Sequence, residues 1–137
     1  MSNKQIHNIA MGAILHDIGL RYINVPYVNV SENKMTNKDA VEYKKHTIFG
    51  YSSLQDEEWL PDVAKEIILF HHERIDGSGY PFQHKGDRLK PEVKLVSICD
   101  DFDSMISGIG SEKMKIYEAI EYLSLIHISE PTRQAEI

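Results

Sequence analysis

Four stretches of this sequence put histidine or aspartate where an apolar side chain belongs. His16 and Asp17 follow a helical stripe of Ile6, Ile9, Ala10, Ala13 and Ile14, with Asp17 at the next position on it. His71 and His72 extend two rows of one helix, Val63–Ile67–His71 and Ala64–Ile68–His72. Asp100 continues the stripe of Val93, Val96 and Ser97, and His46 shares a face with Tyr43 and Gly50. A buried carboxylate costs on the order of several kcal/mol unless a cation or hydrogen bonds compensate. Imidazole and carboxylate together suit iron, manganese or zinc, and helical bundles hold such ions with side chains from several helices. The potential ligands are His16, Asp17, His46, His71, His72 and Asp100, more than one tetrahedral ion takes. Two ions sharing a bridging carboxylate is the natural reading, with Asp17 the candidate bridge.

Each element has a plainer alternative. A single histidine on an apolar face, as His46 would be, is more often a hydrogen-bonded core residue than a ligand. His71 and His72 at a helix end could cap its last carbonyls. An adjacent pair such as Asp100 and Asp101 usually faces solvent, and DGSGYP could be an ordinary tight turn. His7 and His84 have no patterned neighbours and read as surface residues. The co-occurrence of these features on separate helices favours a site.

Five helical segments must position these groups, and no stretch alternates with period two, so the predicted fold is an all-α helical bundle. The first helix is expected from about Lys4 to Ile18. Arg21 to Asn33 reads as loop. Thr36, with Asp39 three residues on, caps a second helix reaching about Leu54. Pro61 and Asp62 open the third. A turn-rich loop from Arg74 to Lys90 separates it from a fourth that starts at Pro91, and Ser111 caps a fifth. The chain of 137 residues fits one domain, and its net charge of -6 without a long basic run argues against a long nucleic acid as partner. A small anionic ligand would need a metal or placed Arg and Lys. The single cysteine, Cys99, precludes an internal disulfide, and no apolar run approaches a membrane span. The N-terminus lacks the layout of a secretory signal. A cytoplasmic protein is expected.

HDIG at His16 to Gly19 resembles the signature of the HD superfamily of metal-dependent phosphohydrolases. HHERIDGSGYP at His71 to Pro81 resembles the extended motif of its HD-GYP branch. KKHTIFGY around His46 and ICDDFDSM around Asp100 are similar to that branch's intervening histidine and late aspartate motifs. The resemblance covers about Asn8 to Tyr122 and implies a bundle with two or three divalent ions, iron or manganese. It implies hydrolysis of cyclic di-GMP, or a related cyclic dinucleotide, to the linear dinucleotide or GMP. It also implies a sensory or regulatory domain upstream. Asp17 would bridge the metals and act in catalysis, with His16, His46, His71, His72 and Asp100 completing the shells. Two ions about 3.5–4 Å apart could then activate a water and hold the phosphodiester for in-line attack. The loop glycines Gly77 and Gly79, with Asp76, Tyr80, Pro81 and Arg74, would approach the substrate.

The sequence departs from the branch in three places. Its usual lysine after HDIG is Leu20 here, with Arg21 next to it as a substitute substrate contact. The usual Arg-Pro-Tyr-Arg stretch reads SGIGSEKMK, where Lys113 and Lys115 supply charge without the arginine fork. Only 15 residues precede His16, so a further ligand-bearing helix expected upstream is missing, and the N-terminus reads as truncated. At the other end, Leu123 to Arg133 (LSLIHISEPTR) resembles a translated sequencing adapter. Residues 1–122 are therefore read as a partial HD-GYP-type domain. Residues 123–137 are read as a non-native or disordered tail, in which His127 and Pro131 have no role. Loss of the lysine and arginines favours two alternatives: a non-catalytic nucleotide-binding module, or hydrolysis of another phosphoester.

Overall fold

Ser2 starts the first helix, α1 (Asn3–Leu15), with a capping box. Its hydroxyl accepts from the Gln5 N–H, and its own N–H donates to the Gln5 side chain. The computed structural model describes residues 1–26, 30–84, 88–108 and 113–127. Within them α1 is followed by a 3-10 turn at Ile18–Tyr22, a second at Glu32–Lys34, then α2 (Asn37–Lys44) and α3 (His46–Leu54). The remaining helices are α4 (Asp62–Phe70), α5 (Pro91–Ser107) and α6 (Ile116–Ile126), and no strand occurs among the described residues. The fold is all-α, as the periodicity predicts.

Thr36 caps α2 by accepting from the Asp39 N–H, and Pro91 supplies the first residue of α5. The left-handed Gly108 ends α5, its N–H donating to the Ser104 carbonyl. Helix α4 lies at the centre, packed on α1, α3 and α5, while α6 packs on α5. Ile9, Ile67, Val93 and Val96 form one apolar cluster; Leu60, Ala64 and Ile68 form a second with Met11, Leu15, Tyr51 and Leu54. No helix among the described residues is long and apolar enough to cross a membrane.

Four boundaries differ from the sequence reading. Helix α1 stops at Leu15 and faces inward through Ile9 and Gly12, leaving Ile14 81% exposed. The chain tightens into the 3-10 turn because Gly19 must pass against α3: a Cβ there would lie 1.7 Å from the His46 carbonyl oxygen. The second predicted helix breaks at Lys45, whose N–H donates three residues back, to the Glu42 carbonyl. The last helix begins after Lys115; Ser111 lies outside the described residues. It continues to Ile126 because Leu123 and Ile126 prolong the buried row of Ala119 and pack on Met105. Its residues 123–126 are thus helical, four positions past the boundary at 122 read from the sequence.

Candidate metal centre

The end of α1, the start of α3, the end of α4 and the middle of α5 meet at one point, and each delivers part of the His/Asp set. His16 is the C-cap of α1, and Asp17 begins the turn that follows. His46 opens α3, His71 is the C-cap of α4 with His72 just beyond it, and Asp100 sits on α5.

Asp17 is the hub. Its Oδ2 lies 3.1 Å from His16 Nε2, and its Oδ1 lies 3.4 and 3.3 Å from Nε2 of His46 and His71. His16 Nε2 is also 3.3 Å from Asp100 Oδ1. Potential ligand atoms fall into three overlapping groups, each within 4.8 Å: Asp17–His46–His71–His72, His16–His71–Asp100, and His72–Asp100–Asp101.

The other ring nitrogens decide what these groups can hold. Nδ1 of His16, His46 and His71 lies 2.6, 2.7 and 3.0 Å from the carbonyls of Ala13, Tyr43 and Ile68. A carbonyl only accepts, so Nδ1 carries the proton and Nε2 of a neutral ring presents a lone pair to the site. His46 and His71 are fully buried, and their Nε2 atoms have no hydrogen-bond partner among the described residues. Each faces a carboxylate oxygen that is itself only an acceptor. Buried acceptors aimed at one another repel unless a cation lies among them. The backbone carbonyls fix the rings in the ligand tautomer, as at metal sites generally. The residues present fit a divalent metal.

The electrostatics agree. Burial opposes charge on His16, but its bonds to Asp100 and Asp17 outweigh this and raise its pKa to about 11, so a proton occupies the position in the metal-free chain. Burial works against ionised Asp17 too, yet the hydrogen bond and positive charge of His16 hold the carboxyl well below the usual carboxylate range. Burial, the largest cause, pushes His72 well below the usual histidine range, which keeps that ring a neutral donor.

The cluster borders a cleft of about 830 Å³ whose walls include Leu20, Lys44, Arg74 and Tyr80. Tyr80 stacks on His72 with ring centroids 4.7 Å apart, and its buried hydroxyl has no partner among the described residues. Arg74 donates to Asp101 at 2.7 Å and to the Glu73 carbonyl at 3.1 Å. Arg21 does not line the cleft. It is exposed, with its guanidinium 5.6 Å from the Tyr22 ring centroid, because one step along a 3-10 turn rotates a side chain by about 120°. Leu20 occupies the wall in its place.

Asp76, Gly77 and Pro81 also lie off the cleft wall and shape the loop instead. Asp76 Oδ1 accepts from the N–H and hydroxyl of Ser78, Gly77 has φ +82, and the Tyr80–Pro81 bond is cis. Gly79 lines the cleft, but its close approach is to the protein's own chain: a Cβ would lie 2.2 Å from the His72 carbonyl oxygen.

Neither Asp101 nor Glu73 is singled out by the sequence reading. Asp101 is buried, and α5 carried the signal for it, since Val93, Ser97, Asp101 and Met105 form a four-residue row. Its Oδ2 lies 2.5 Å from Nε2 of His127, a residue given no role in the sequence reading. Fully buried Glu73 accepts from the N–H groups of Phe82 and His84 at 2.7 and 3.1 Å, tying the loop to α4. Glu73→Gln places an amide donor against one of those N–H groups. It is expected to cost roughly 1–3 kcal/mol in urea unfolding, read as a lower midpoint. An unchanged midpoint would show that the loop is held by other contacts.

The family profile described as HD domain matches residues 1–127. The chain belongs to the HD-domain family. This HD domain is 35% identical over 110 residues to the cyclic di-GMP phosphodiesterase response regulator RpfG of Xanthomonas campestris pv. campestris, covering 79% of the chain and 29% of the relative. It is 36% identical over 95 residues to the 3'3'-cGAMP-specific phosphodiesterase 2 of Vibrio cholerae, covering 66% of the chain and 17% of the relative. A solved HDG"Y"P protein from Bdellovibrio bacteriovorus superposes with a TM-score of 0.77 at 28% identity, over 91% of this HD domain and 39% of that chain. With its HDIG and DGSGYP motifs, the HD domain falls in the HD-GYP branch. It spans less than a third of the length of the curated relatives it matches.

Proposed function

We propose that this HD domain is a metal-dependent phosphodiesterase that hydrolyses cyclic di-GMP to the linear dinucleotide or GMP. The observation that carries the reading is the convergence of the unpartnered Nε2 atoms of His46 and His71 on Asp17, beside an open cleft. Several relatives are named as phosphodiesterases of cyclic di-GMP or 3'3'-cGAMP, which supports a cyclic dinucleotide as the substrate class.

His16, Asp17, His46, His71, His72 and Asp100 would hold the metal, and the three overlapping groups leave room for two or three ions. A nitrogen and carboxylate donor set without cysteine suits iron or manganese. When bound, the ions supply Lewis acidity and charge neutralisation at the phosphodiester. Asp17 is placed for a shared role because its two oxygens face different histidines. Arg74, pinned by Asp101, offers further guanidinium donors to a phosphate from the cleft wall. The Tyr80 ring, which lines the cleft and stacks on His72, is a second contact on that wall. A cleft of about 830 Å³ falls in the usual range for ligand sites of roughly 300–1,000 Å³.

One observation favours a non-catalytic binding module: Leu20 lines the cleft where the resemblance leads one to expect a lysine. Chromatographic analysis of cyclic di-GMP incubated with the protein, loaded anaerobically with iron or manganese, separates the readings. The phosphodiesterase reading requires linear dinucleotide or GMP to accumulate. Metal bound without product would leave a binding module or a different phosphoester.

A further inference from the structure

The cleft beside the His/Asp cluster is also lined by a carboxylate outside that cluster. Glu32 lies on the 3-10 turn Glu32–Lys34 and lines the cleft with a side chain 37% exposed. Its Oε1 is 3.3 Å from Lys44 Nζ, and that ammonium lies 5.5 Å from the Tyr80 ring centroid. Lys44 thus ties Glu32 to the wall that ends in Tyr80. One ammonium does not saturate a carboxylate, which has about four acceptor sites.

A bare carboxylate would repel a substrate carrying two phosphodiester charges. Paired with Lys44 it is locally neutral, and its remaining lone pairs suit a donor-rich part of the ligand. In a cyclic dinucleotide that part is the guanine Watson–Crick edge, where N1–H and the N2 amine point the same way and match the two oxygens of a carboxylate. Adenine presents an N1 lone pair at the corresponding place, which a carboxylate repels. Resting on the cyclic-dinucleotide reading above, we propose that Glu32, oriented by Lys44, reads a guanine base in the cleft and sets the preference for guanine over adenine.

The ordering of ligands follows. Cyclic di-GMP should bind more tightly than cyclic di-AMP, by roughly ten- to a hundredfold for one bidentate base contact. Glu32→Gln should remove that preference, because glutamine offers one acceptor and one donor, a pair that suits adenine N6–H and N1. The test is titration calorimetry of the metal-loaded full chain and of its Glu32→Gln form with phosphorothioate analogues of cyclic di-GMP, 3'3'-cGAMP and cyclic di-AMP, which resist hydrolysis so that no ligand is consumed. The proposal expects the cyclic di-GMP to cyclic di-AMP affinity ratio to fall at least tenfold in the variant. A general structural defect would weaken all three ligands alike and leave the ratio unchanged; that result, or no binding of any of them to either protein, would overturn it. The same wild-type sample assayed for turnover of cyclic di-GMP itself reports on the phosphodiesterase reading separately. Guanine-selective binding without product would sink that reading and keep Glu32's role.

Discussion

Asp17→Asn is expected to lower phosphodiester turnover by on the order of a thousandfold while leaving the helical content unchanged. Partners outside the ligand shell typically cost 10–100-fold at metal sites, and single groups that stabilise transition-state charge cost about 100–1,000-fold. Asp17 should exceed the former, because His16, His46 and His71 all present Nε2 to its carboxylate within 3.4 Å. Asparagine keeps the volume but puts an amide donor where an oxygen now faces two lone pairs, or turns that donor toward His16. The substitution therefore reports on charge at the hub and leaves packing largely intact. Metal content measured on the same sample should fall with turnover. Turnover within tenfold of the parent would remove Asp17 from the catalytic centre.

Adding manganese at about one hundred times its dissociation constant is expected to raise the melting temperature by roughly 10 °C. Selective binding to the folded chain at that ratio stabilises by about 2.7 kcal/mol, and 1 kcal/mol moves the midpoint of a domain of this size by about 2–8 °C. The metal-free chain carries two buried lone pairs aimed at a carboxylate, so a cation relieves a strain that the unfolded chain lacks. A chelator should reverse the shift. A melting temperature indifferent to manganese, iron and chelator would mean that the cluster is satisfied by protons alone.

The helices were legible in the sequence because their signals are local. Thr36, Pro61 and Pro91 mark starts with chemistry that acts within one turn, and the Ala64–Ile68 and Ile67–His71 rows show which side of α4 is buried. The residues of the candidate site were legible for a related reason: polar groups on apolar rows stand out without any knowledge of their partners. Which atoms face which was not legible. The meeting of Asp17 with His46 depends on Gly19 passing against the His46 carbonyl, a contact between segments some 27 positions apart that no period encodes. Arg21 failed as a cleft residue because the segment was read as loop, whereas a 3-10 turn fixes Leu20 inward. Asp101 was missed because its neighbour Asp100 occupied the stripe as it was drawn. The real burial row, Ser97–Asp101–Met105, lies one residue round the helix.

If the meeting point of α1, α3, α4 and α5 is a metal centre, crystals of the protein grown with iron or manganese should give strong anomalous diffraction peaks there. The peaks are expected within coordination distance, about 2.0–2.3 Å, of Asp17 and of Nε2 of His46 and His71, with density also beside His16 and Asp100. An anomalous map with no peak among those atoms, at a metal concentration that supports turnover, would contradict a metal centre there.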